Sequence, residues 1–135
     1  IMAAPVVSWL DSNDQTLSSW DAGTIDAGSA SNAMTVKIAN ATGSSTMQNV
    51  KLVTKDNSGG MNIALVKGQW VKVSTNSGVT WTPIGSDSTG TTPVECDITD
   101  IAGGTNDVVQ LKIDVPADAA AGQVNFLTRV RYSYV

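Results

Sequence analysis

A chain of 135 residues with 41% hydrophobic and only 15% charged side chains has the size of one ordinary domain, and fewer charges than the roughly 25% of an average globular protein. Its net charge of −4 speaks against nucleic-acid binding through phosphates, which needs a basic face, and equally against electrostatic docking on an anionic membrane. The absence of histidine excludes Ser-His-Asp and Cys-His catalysis within the chain, together with histidine-ligated zinc.

One glutamate stands against eleven aspartates, and Val, Thr, Ser, Gly and Asn are abundant. Strands and turns favour that mixture. In chain order, residues 5–10 form a first short apolar run and residues 20–25 a weaker second one. Residues 34–39 alternate, with Met34, Val36 and Ile38 on one face and Thr35 and Lys37 on the other. Residues 47–55 set Val50, Leu52 and Thr54 against Lys51, Val53 and Lys55, and the lysines mark the solvent side of a one-sided antiparallel sheet. Residues 63–66 and 70–73 predict two short strands about Gly68. Residues 79–83 predict the return strand of a hairpin closed by Thr75, Asn76, Ser77 and Gly78, with Trp70 and Trp81 near each other across the pair.

Residues 85–92 hold no large apolar side chain and read as a loop, and residues 94–98 alternate only weakly. The cleanest strand is 108–115, where Val109, Leu111, Ile113 and Val115 alternate with Gln110, Lys112 and Asp114 until Pro116 ends it. Residues 118–122 predict one helical turn closed by Gly122. Residues 123–135 predict the last and longest strand: Val124, Phe126, Thr128, Val130, Tyr132 and Tyr134 on one face, Asn125, Leu127, Arg129, Arg131 and Ser133 on the other. About eight to ten antiparallel strands at this spacing predict one all-β domain over residues 1–135, an immunoglobulin-like β-sandwich with a jelly roll as the alternative.

Few residues offer chemistry. Asp11, Ser12, Asn13 and Asp14 cluster oxygen ligands, but the central Gly and distal Glu of a calcium loop are missing, and an Asx turn explains the cluster. The scattered aspartates do not make the opposed acid pair of a glycosidase, and no phosphate loop, dinucleotide fingerprint or Cys-x-x-Cys is present. No cofactor, metal or catalytic residue is expected. Cys96 is the single cysteine and reads as a small buried hydrophobe. Asn40-Ala41-Thr42 matches a glycosylation sequon, discounted because no secretion signal precedes it. Ile1 precedes Met2, which reads as the initiator, so cytoplasmic synthesis is expected.

The aromatic and arginine residues carry the functional expectation. Trp9, Trp20, Trp70 and Trp81 fill a core or a subunit contact in the first reading, and stack on sugar rings in the second. Arg129 and Arg131, the only arginines, are placed to pair with carboxylates of a neighbouring strand or subunit. Trp9, Trp70, Trp81, Arg129, Arg131, Tyr132 and Tyr134 are therefore the candidate contact residues, and the long final strand offers an edge for pairing with another chain.

Residues 24–31 (Thr-Ile-Asp-Ala-Gly-Ser-Ala-Ser), 34–43, 47–60 and the ending 115–134 together resemble small immunoglobulin-like structural proteins of tailed bacteriophages, without the cysteine pair of antibody-type domains. The resemblance implies a non-enzymatic virion component made in the host cytoplasm. Its most concrete form is a capsid decoration protein, oligomeric, that binds the major capsid protein or other virion proteins and stabilises the shell. A tail, fibre or surface adhesin binding carbohydrate through exposed Trp70 and Trp81 is the alternative, and a polysaccharide-degrading enzyme the third.

Overall fold

Alternation in the sequence becomes two facing sheets. The computed structural model describes residues 2–135, and Ile1 lies outside the described residues. Nine strands and one helical turn follow in order: β1 (Val7–Leu10), β2 (Met34–Asn40), β3 (Gln48–Asp56), α1 (Ala64–Lys67), β4 (Val71–Ser74), β5 (Thr82–Ser86), β6 (Pro93–Val94), β7 (Cys96–Asp97), β8 (Asn106–Ile113) and β9 (Phe126–Ser133). A six-stranded sheet runs β1-β2-β8-β4-β5-β6 and a three-stranded sheet runs β7-β3-β9, with every pairing antiparallel. The fold is thus an all-β two-sheet sandwich.

Both sheets feed one core. Val36 and Ile38 of β2, Val71 and Val73 of β4, and Val109 and Leu111 of β8 meet Val50 and Leu52 of β3. These are the faces that the two-residue period assigns inward. Val53 faces outward with Lys51 and Lys55, yet it is only 4% exposed. Its cross-strand partner is Arg129, and the long stems of such neighbours cover a small apolar side chain while their charges stay in water.

One buried hydroxyl remains unpaired. Thr54 is fully buried on the inner face of β3, and its Oγ1 makes no hydrogen bond. Desolvating a hydroxyl without a partner costs about 1–3 kcal/mol, so Thr54→Val, which keeps the shape, is expected to raise the unfolding free energy by about 1 kcal/mol. Urea denaturation checks this as a higher midpoint at unchanged slope.

Four expectations are corrected. Residues 63–66 are no strand: Leu65 and Val66 are buried in the helical turn α1, which ends at Gly68. Residues 20–25 join no ladder, although Trp20 and Ile25 pack against the core. Residues 118–122 form no helix; a turn closed by Ala119 N–H on the Pro116 carbonyl stands there instead. The return strand of the hairpin is Thr82–Ser86 rather than 79–83, and its register pairs Val71 with Ile84 and Val73 with Thr82. Continuing that register places Trp70 opposite Gly85 and Trp81 opposite Ser74, about 13 Å apart along the strand at 3.3 Å per residue. The turn chemistry itself holds, with Ser77 and Gly78 both at positive φ and Gly78 N–H donating to Ser74 Oγ.

The two long edges of the sandwich differ. At one, β6 belongs to the large sheet and β7 to the small one, with only Glu95 between them, so the chain itself bridges the layers. At the other, β1 and β9 end their sheets, and no ladder joins them. Asn40 anchors the loops near that end of β2: its buried side-chain amide donates to the Ser45 and Ile101 carbonyls, and its Oδ1 accepts from Val6 N–H. An asparagine so enclosed is out of reach of modification once the chain has folded.

Candidate functional site

The open edge gathers the feature that stands out among the described residues. A groove of about 650 Å³ lies between the sheets beside β9. Trp9 of β1, Leu17 and Trp20 of the following segment, and Met34 of β2 form one wall, while Phe126 and Thr128 of β9 form the other. Val36 and Leu111, members of the core, reach into it. Trp20 meets Phe126 edge-on, with ring centroids 6.1 Å apart. Toward the far end of β9 the two edges approach, and Tyr132 Oη donates to the Pro5 carbonyl at 3.3 Å.

Among the described residues, strand β9 pairs only with β3. Its eight residues leave about four N–H and four C=O groups pointing away from that ladder, because antiparallel bonding alternates sides. Such an edge is a template for another strand.

The outer face of the small sheet is basic although the chain is acidic. Lys51, Lys55, Arg129 and Arg131, four of the eight cationic residues, alternate outward on β3 and β9. Lys51 pairs with Asp97, and Arg131 grips Glu95 bidentately, Nε to Oε2 at 2.9 Å and Nη2 to Oε1 at 2.6 Å. Among the described residues, Lys55 and Arg129 have no carboxylate partner. The Arg131 hydrogen bonds, helped by its charge and by Lys51 and Lys55, hold Glu95 below the ordinary value of 4.5 against the opposing pull of burial.

A carboxylate lowered in the folded state adds stability above its unfolded value, and that stability is lost as pH falls through the lower folded value. Arg131 is largely exposed, so solvent screens the pair and its contribution is small. Arg131→Ala is therefore expected to lower the urea midpoint slightly at about pH 7, and the loss is expected to shrink on acidification below 4.5. Urea titrations of both proteins across that window measure it.

The candidate contact residues divide between two surfaces. Trp9, Arg129, Arg131, Tyr132 and Tyr134 lie along the open edge, with the Tyr132 and Tyr134 rings 6.5 Å apart. Trp70 and Trp81 belong to the β4–β5 hairpin of the other sheet. Trp70 lies against Gly68 with Lys72, Asp114 and Pro116 around it, and Lys112 Nζ sits 4.4 Å over the Trp81 ring as a cation–π contact. All four tryptophans are half-buried, and Trp70 and Trp81 form no adjacent platform. Phe126, Met34, Leu17 and Lys55 belong to the site although the sequence did not single them out as contacts. The alternation of residues 123–135 placed Phe126 on the inner face, but only the topology shows that this face opens on a groove.

Other chemical groups are spoken for. Asp11 Oδ1 accepts from Asn13 and Gln15 N–H, the Asx turn expected there, and Asp14 pairs with Lys37 at 2.6 Å. Burial pushes the Cys96 thiol up, with a smaller contribution from Asp97. Among the described residues no three His, Cys, Asp or Glu side chains converge as a metal site, and no helix is long and apolar enough to cross a membrane. No protein-family model matches the chain, and no curated protein is significantly similar to it.

Proposed function

We propose that this chain is a non-enzymatic structural protein of a bacteriophage virion, most concretely a decoration protein that binds the major capsid protein on the capsid surface and stabilises the shell. The observation that supports the reading is the edge of β9, unpaired among the described residues, beside a groove that presents Trp9, Met34 and Phe126 together with polar Ser18, Asn57 and Asn125. The resemblance to small immunoglobulin-like phage proteins supplies the partner class. Docking buries aromatic anchors such as Trp9 and Trp20 and satisfies the free backbone groups of β9, and binding only the assembled lattice raises lattice stability by mass action.

Particles made with and without the gene test this. The chain is expected in the purified particles, as density on the capsid shell, and its loss is expected to lower the temperature at which capsids rupture. Absence from the particles, or density confined to the tail, contradicts the reading.

A further inference from the structure

Resting on that docking role, we propose that the open edge of β9 accepts an extended segment of the partner protein whose side chains alternate apolar and acidic, adding a fourth strand to the three-stranded sheet. Three observations converge. The free N–H and C=O groups of β9 supply the ladder. A strand laid there points every second side chain inward, toward the groove, where Trp9, Leu17, Met34 and Phe126 offer apolar contacts alongside polar groups such as Ser18 and Asn125. The intervening side chains point outward beside Arg129, which has no carboxylate partner among the described residues.

The same charges select against other occupants. A second copy pairing antiparallel through its own β9 sets arginines against arginines, and like charges facing across a ladder destabilise it. A nucleic acid satisfies the cations but uses neither the ladder nor the groove. An acidic, alternating segment satisfies all three features.

The test uses the full chain and synthetic peptides of about ten residues, the span of a long strand. One alternates Val and Asp; the other has the same composition with its Val and Asp residues in two blocks. On saturation with the alternating peptide, amide exchange at residues 126–133 is expected to slow at least about tenfold, and the blocked peptide is expected to bind at least about tenfold more weakly. Arg129→Glu is expected to weaken binding by about tenfold, while Trp81→Ala on the opposite sheet leaves it unchanged. Unchanged exchange in β9, equal binding of both peptides, full competition by a short DNA duplex, or a dimer of the free chain held through β9 overturns the proposal. Peptide-induced protection of β9 in a chain that never binds capsids upholds strand addition and removes the virion role; capsid binding with β9 unprotected does the reverse.

Discussion

Gly85→Ala is expected to lower the unfolding free energy by about 3–5 kcal/mol, a large share of the roughly 5–15 kcal/mol that holds a typical domain. Gly85 sits in β5 at φ +146°, a conformation that side chains with a Cβ rarely adopt. The strand passes directly under α1, so an added Cβ meets the Val66 carbonyl oxygen at 2.2 Å and the carbonyl carbon at 3.1 Å. Both are backbone atoms, and Val66 O is engaged by Gln69 N–H, so neither side can yield without moving the helical turn. Backbone strain contributes about 1–3 kcal/mol and overpacking a similar amount. Gly23→Ala is the control: φ is +75° but nothing lies within 4 Å, so only the left-handed penalty of about 1–2 kcal/mol applies. Equal losses in urea denaturation would remove the close approach of α1 and β5 as the cause.

Asp56→Ala is expected to cost about 2–4 kcal/mol. Asp56 ends β3, is 6% exposed, and its carboxylate accepts Asn62 N–H at 2.8 and 3.0 Å and Ile63 N–H at 3.1 Å. Those amides lie just before α1, whose N-cap residue Ile63 provides no side-chain cap. The Asp56 carboxylate, reaching across the loop, thus fixes the chain's entry into the turn and leaves the turn's own first amides to other partners. Alanine takes the acceptor from two part-buried donors, and hydrogen bonds to a charged group are worth about 1.5–3 kcal/mol. Asp56→Asn retains one acceptor oxygen and is expected to lose about half as much. Exchange at the Asn62 and Ile63 amides reports the cause: it accelerates selectively if these bonds are lost, whereas a uniform change across β8 would point to general loosening.

The same loop shows where sequence reading stops. Residues 63–66 are apolar and short, and such a run looks alike as a buried strand or a buried helical turn. The feature that decides it, Asp56, lies seven residues before Ile63 and acts through space. Segments with strict two-residue alternation, β2, β3 and β8, were legible to within about two residues because one buried face fixes the register. The hairpin return slid by three residues because Val79, which looked like its start, is 78% exposed in the turn. Trp20 illustrates the opposite error: an apolar anchor suggests a strand, yet its role is to pack on Phe126 with no ladder at all.

Of the candidate site, the strand edge and its arginines were readable and the groove was not. Alternation assigns Arg129 and Arg131 outward and Phe126 inward from the sequence alone. Nothing local states that β1 ends the other sheet or that the layers part beside β9. Those facts arise from the order of pairing, in which β6 and β7 close one side of the sandwich and leave the opposite side open.

Amide exchange measured on the free chain and on the chain bound to capsids tests the docking role most directly. The account predicts that residues 126–133 slow on binding while the hairpin carrying Trp70 and Trp81 keeps its free-state rates. Protection of that hairpin with β9 unchanged would contradict it.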